Sequence, residues 1–103
     1  MNLSRFLPLT ETTYYILVAL LEPGHGYSVM QRVEALSGGK VRIAAGTMYG
    51  ALDNLSRQKW IRSVPSEDKR RKVYQITDLG RDVLKQETAR LRDLLRIADQ
   101  YSL

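Results

Sequence analysis

Four cations in succession, Lys69, Arg70, Arg71 and Lys72, are the densest chemical feature of this 103-residue sequence. Like charges held this close repel one another, and a polyanion relieves the repulsion. Other chemistries have little to work with. The only histidine, His25, lies between two glycines and reads as the cap of a following helix rather than as an acid–base group. There is no cysteine, so disulfides and thiolate metal sites are excluded. No serine sits in a nucleophile motif, no glycine loop has phosphate-cradling spacing, and no carboxylates have metal-ligand spacing. Neither an enzyme nor a metal or cofactor site is expected.

A second stretch with chemical content is GTMYGALDNLSRQKWI, residues 46–61. Met48, Leu52 and Leu55 fall at i, i+4 and i+7, with Ala51 beside them, which makes one apolar stripe of a helix. Gly50, Asp53, Asn54 and Arg57 lie on the opposite side, preceded by Gly46 and Thr47. Glycine costs helix stability, so two on an outer face ask for a surface that the backbone must approach closely. A DNA major groove is such a surface. There Thr47 could meet a thymine methyl or a phosphate, and Asn54 could offer its amide to adenine. Read alone, Gly46 equally starts a helix, and Gly50 equally admits a neighbouring one. Asp53 has the wrong sign for phosphate and fits only a base contact.

Short-range signals supply the elements that must position these groups. Thr10 caps a first helix running to about Glu22, where Pro23-Gly24 ends it. A second helix covers about 26–37, with Tyr27, Met30, Val33 and Leu36 taken as its buried side and Gly38-Gly39 as its stop. Residues 40–43 look extended, and the third helix covers about 45–59. Two strand-like runs within 60–76 flank PSEDKRR and form a hairpin whose tip and returning arm carry the four cations. Thr77 caps a last helix that reaches about Tyr101, roughly 37 Å long. Its Leu84, Thr88, Leu91, Leu95 and Ala98 are spaced 4, 3, 4, 3, a heptad seam. A helix of that length overhangs so small a domain, and a second copy of the chain is the natural cover.

Three helices and a hairpin in this order predict a mainly α (α+β) fold, a winged helix-turn-helix with a long C-terminal dimerisation helix. Residues 1–76 would form the DNA-binding domain and 77–103 the dimerisation helix of the same compact unit. The net charge of +5 agrees with an anionic partner. No run approaches the roughly 18 apolar residues of a membrane span, and the N-terminus lacks the pattern of a signal peptide, so a cytoplasmic protein is expected. A winged helix that binds proteins as an adapter, and a ligand sensor without DNA binding, are the competing readings. Four cations on the wing favour DNA.

Three stretches carry a family resemblance: LTETTYYILVALLEPGHGYSVMQRVEALSGG, AAGTMYGALDNLSRQKWI and DKRRKVYQITDLG. Together they resemble the PadR family of bacterial transcriptional regulators over about residues 6–101, in its small branch with a single C-terminal helix. The resemblance implies a homodimer in which the last helix packs on the partner's first helix and N-terminal region. It implies a pseudo-palindromic operator, usually repression, and in some members release by a small hydrophobic or aromatic effector. Carried over, GTMY gives Thr47 and Tyr49 as recognition-helix contacts, with Gly50 and Asn54 following. RRK gives Arg70, Arg71 and Lys72 as wing contacts. By angle Tyr49 lies on the flank of its helix, where it reaches a phosphate or packs on helix one. Met48, Trp60 and Val73 depart from the family pattern without threatening the fold, and Trp60 is expected to cover the base of the hairpin. The last helix offers only Tyr101 as an aromatic, so an effector site would draw on Tyr14 and Tyr15 with Leu91 and Leu95. Tyr14 and Tyr15 read first as core or dimer-interface residues, ahead of an effector role.

Overall fold

The computed structural model describes residues 2–103. A short 3-10 turn, Ser4–Phe6, leads into α1 (Glu11–Ala19), β1 (Gly24–His25), α2 (Gly26–Leu36), α3 (Ala45–Arg57), β2 (Ile61–Val64), β3 (Val73–Ile76) and α4 (Asp78–Gln100). The three strands form one antiparallel sheet in the order β1-β3-β2, with Ile61 opposite Ile76 and Gly24 opposite Tyr74. The sheet is therefore more than the expected hairpin. Two residues are too few for a legible alternation, so β1 leaves no sequence signal.

Local capping sets the helix starts. Thr10 Oγ1 accepts from the Thr13 amide, His25 Nδ1 from the Ser28 amide and Thr77 Oγ1 from the Gly80 amide. Each satisfies one of the four orphan N–H groups that begin a helix. The α1 helix stops three residues short of Glu22. The Leu20 carbonyl is taken by the Ile76 amide of β3, and the Arg32 guanidinium of α2 donates to the carbonyls of Ala19, Glu22 and Pro23 at 2.9–3.1 Å. At the other end of α2, Gly38 and Gly39 take φ of +63° and +81°, a left-handed exit that glycine adopts without penalty.

The core is built by Ile16, Leu17 and Leu20 of α1, Val29 and Val33 of α2, Met48, Leu52 and Leu55 of α3, and Val83 and Leu84 of α4, with Trp60, Ile61 and Ile76 from the sheet region. Leu3 joins it from the N-terminal turn, and Phe6 meets Trp60 edge-on with ring centroids 5.4 Å apart. Trp60 thus closes the base of the hairpin. Residues 40–43 form no strand; Ile43 anchors the connection by burying its side chain. The apolar side of α2 differs from expectation: Val29 and Val33 are buried, whereas Tyr27 and Leu36 are exposed. A strict three-residue spacing drifts about 60° per step on an α-helix, so nine residues on the chain has crossed to the opposite side.

Two contacts fix α4 to the body. Thr77 donates its amide to the Trp60 carbonyl and its hydroxyl to the Lys59 carbonyl. Gly80 lies so close to the residue that precedes β2 that a Cβ there would stand 2.1 Å from the Trp60 carbonyl oxygen. Two turns further along, Glu87 is only 2% exposed, although it is a carboxylate. It accepts from the Leu9 amide at 3.1 Å and from two nitrogens of Arg90. The Arg90 hydrogen bond lowers its pKa, against the opposing effect of burial. Glu87 was not singled out in the sequence, though it stands three residues after Leu84 and four before Leu91, on the inward side.

Candidate nucleic-acid interface

Helix α3 presents a bare outer face. Gly46, Thr47, Gly50, Asp53, Asn54 and Arg57 are all exposed, opposite the buried Met48, Leu52 and Leu55. A Cβ built on Gly46 or Gly50 would meet nothing within 4 Å. Neither glycine is there to admit a neighbouring element of this chain. Asp53, expected to meet a base, instead holds Arg57 in an ion pair at 2.6 Å, one turn along the same helix. Paired in this way, its charge is offset locally, and it has an account that needs no base.

Tyr49 stands between α3 and α2. Its ring covers Gly26, where a Cβ would stand 2.8 Å from Tyr49 Cε1. The alternative packing partner named from sequence, helix one, is thus replaced by the start of α2. The phenol remains largely exposed.

The wing turn, residues 65–72, is ordered by Asp68. Its carboxylate accepts from the Arg70 amide at 3.0 Å, and its backbone carbonyl accepts from the Arg71 amide. The same carboxylate lies 3.7 Å from the Nε atoms of both arginines, a partial counter-charge. Lys69, Arg70, Arg71 and Lys72 are all exposed. Because β3 pairs with β1, the returning arm passes beside the start of α2. His25, Tyr27, Tyr49, Arg70, Arg71 and Lys72 therefore line one cleft of about 440 Å³, floored by Tyr74. His25 and Tyr27 were not among the site residues expected from the sequence. The pairing that brings them to the wing joins residues nearly fifty positions apart, which no local pattern encodes.

The predicted seam of α4 is divided. Leu84 is buried in its own core, and Thr88 is tied inward, its hydroxyl donating to the Leu84 carbonyl at 2.8 Å. That leaves the Thr88 oxygen to accept from the Tyr14 phenol, 2.7 Å away. Beyond Arg90 the helix leaves the body. Leu91 is 41% exposed, Leu95 62%, Ile97 53% and Tyr101 71%, with Leu94 exposed and Ala98 half-buried. Tyr14 and Tyr15 are both half-buried against the core, and with Leu91 they line a cleft of about 300 Å³ beside Glu87 and Arg90. Leu95 lies outside it.

Among the described residues no helix is long and apolar enough to cross a membrane, and no group of acidic or histidine side chains is gathered in a metal-binding cluster.

These features match known proteins. The model of the Transcriptional regulator PadR-like family fits residues 16–86, more than half of the chain. A curated relative, an uncharacterized 37.1 kDa protein in transposon TN4556 of Streptomyces fradiae, is 36% identical over 74 residues, covering 70% of this chain. The match spans only 20% of that protein's length. Among solved structures, a PadR family transcriptional regulator from Eggerthella lenta superposes with a TM-score of 0.70 at 26% identity, covering 86% of this chain and 79% of that one. H. salinarum RosR superposes with a TM-score of 0.69 at 23% identity, covering 94% and 97%, a likeness of fold. The three-helix body, the wing and the long terminal helix follow the fold of these solved transcriptional regulators, and the chain belongs to the Transcriptional regulator PadR-like family.

Proposed function

We propose that this protein is a repressor that binds a pseudo-palindromic operator as a homodimer. The observation that carries the reading is the shared surface of α3 and the wing. The outer face of α3 exposes Gly46, Thr47, Gly50 and Asn54, and on its flank Tyr49 shares one cleft with Arg70, Arg71 and Lys72 of the wing, whose four cations are all exposed. The geometry supports insertion of α3 into a major groove, with Gly46 and Gly50 admitting the backbone, Thr47 and Asn54 reading bases, and Tyr49 and Arg57 at its flanks. Lys69, Arg70, Arg71 and Lys72 would hold phosphates and so set position rather than sequence.

The dimer would form on α4, through Leu91, Leu95 and Ala98, with Leu84 and Thr88 supporting the seam from within. Burying Leu91, Leu95 and Ala98 together with their exposed apolar neighbours Leu94 and Ile97 contributes several kcal/mol per subunit at about 25 cal/mol per Å², before association entropy is subtracted. A flat hydrophobic effector would bind at Tyr14, Tyr15 and Leu91, completed by Leu95 of a second copy, and would loosen DNA by shifting that seam. Residues 1–76 then serve as the DNA-binding unit and 77–103 as the dimerisation helix, in a cytoplasmic protein.

Selection of bound sequences from a random duplex pool tests the reading. Two related half-sites about 10 bp apart, centre to centre, are expected. If each dimer neutralises about six phosphates, log K falls with log[salt] at a slope near −5. A monomeric chain indifferent to duplex DNA at low salt would overturn it, and a salt-insensitive protein partner would replace it with the adapter role.

A further inference from the structure

His25 stands where the wing meets α2, and its ring cannot satisfy its neighbours all at once. The Ser28 amide lies 3.3 Å from Nδ1, Ser28 Oγ lies 2.9 Å from Nε2, and Arg71 Nη1 lies 3.1 Å from the same Nε2. A neutral imidazole carries one proton. With that proton on Nε2, the ring caps α2 through Nδ1 and donates to Ser28 Oγ, but meets the Arg71 guanidinium donor to donor. With the proton on Nδ1, Nε2 accepts from Arg71, and the Ser28 amide loses its acceptor. An anion in the cleft resolves the conflict. It would accept from Arg71 and from an Nε2–H together, which ends the donor-to-donor contact.

The surrounding charges give the sign. Arg70, Arg71 and Lys72 of the wing face the ring, with Asp68 a partial counter-charge 3.7 Å from Arg71. The phenols of Tyr27 (α2), Tyr49 (α3) and Tyr74 (β3) line the same cleft. Arg32 lies behind Gly24, with its guanidinium committed to three carbonyls. A phosphate set among these cations would bring a negative charge to the ring, and a nearby negative charge favours the charged form of an imidazole.

We infer that His25 is a backbone-phosphate ligand acting with Arg71, and that binding of a duplex loads a proton onto it. The inference rests on the reading of this face as the DNA surface. By linkage, a proton taken up on binding makes affinity rise as pH falls, by up to about tenfold per pH unit for each subunit engaged. Imidazole groups change charge between about pH 5 and 8, which sets the span to scan.

The experiment is fluorescence anisotropy of a mixed-sequence duplex with the full chain at constant ionic strength, from about pH 6 to 8. It compares wild type with His25→Asn, since asparagine caps a helix well but does not titrate. Tightening of the wild type with falling pH, and a flat profile for the variant at an unchanged thermal midpoint, is the expected result. His25→Ser, a second cap-forming replacement, gives the comparison if asparagine disturbs the fold. Parallel pH profiles for wild type and variants overturn the inference while leaving DNA binding intact. Absence of binding by the wild type at every pH in low salt removes the DNA reading itself, and this one with it.

Discussion

Helices α3 and α4 each leave one face uncovered, and the two faces are opposites. On α3 the exposed face carries Gly46, Thr47, Gly50, Asn54 and the paired Asp53 and Arg57, with Tyr49 on its flank, next to a cationic turn. On the outer half of α4 they are Leu91, Leu94, Leu95, Ile97 and Tyr101. Equal exposure thus implies different partners. A face without bulk, set among cations, suits a hydrated polyanion whose grooves must be entered. A row of large apolar side chains gains nothing from water and gains several kcal/mol from another apolar surface.

The largest expected effect comes from breaking the apolar side. Leu91→Glu with Leu95→Glu should convert the dimer to monomer in sedimentation and lower operator affinity by about a hundredfold or more, because each monomer then binds a single half-site. The far-UV spectrum should stay that of the wild type, since both side chains lie outside the core. A dimer that survives both charges would place the interface elsewhere.

On the polar side, Arg70→Ala with Arg71→Ala should weaken binding by about ten- to a hundredfold on all duplexes alike, and flatten the salt slope by about 1 per cation lost in each subunit. Asn54→Ala should instead change which duplex is preferred, by about 1–3 kcal/mol at one position. Competition binding separates the two. A wing variant that altered preference at constant bulk affinity would reverse the division of labour between wing and helix.

Glu87 marks the boundary between the inward and outward parts of α4. Glu87→Ala should cost about 1–3 kcal/mol in denaturant unfolding, because the Leu9 amide loses its acceptor in a buried setting. The hydrogen bond from Arg90 holds this carboxyl below its ordinary value of 4.5 in the folded chain. Its contribution is therefore complete above pH 4.5 and is lost as pH falls through the lower folded value. Glu87→Gln should remove that part of the acid dependence, read as the unfolding midpoint against pH.

The smallest effect sharpens the contrast most. Gly50→Ala has open space around the new methyl group and should stabilise the fold by about 0.5–1 kcal/mol. If α3 enters a groove, the same change should weaken DNA binding. Greater stability together with undiminished affinity would mean that the bare face meets nothing.

What the sequence made legible follows the range of the interactions. Caps at Thr10, His25 and Thr77, the stop at Gly38-Gly39 and the stripe of Met48, Leu52 and Leu55 are encoded within a few residues, and each stands in the structure as read. The outer face of α3 and the wing cations were legible for the same reason. Interactions between distant segments were not. Arg32 closes α1 from the next helix, Glu87 tethers Leu9 across 78 positions, and β1 exists only because β3 returns beside it. The cleft that gathers His25 with Arg71 depends on that last pairing. The even spacing on α2 misled because a three-residue repeat is not quite the helical period.

The missing side chain at position 80 has a mechanical meaning. With no Cβ between α4 and the Trp60 carbonyl, the long helix rests directly on the backbone that leads into β2. A tilt of the far end would therefore reach the Trp60 backbone with no side chain between to absorb it. The molecule has the makings of a stiff pointer pivoted at its glycine, and a bulkier residue there would slacken the pivot even where the rest of the fold survived.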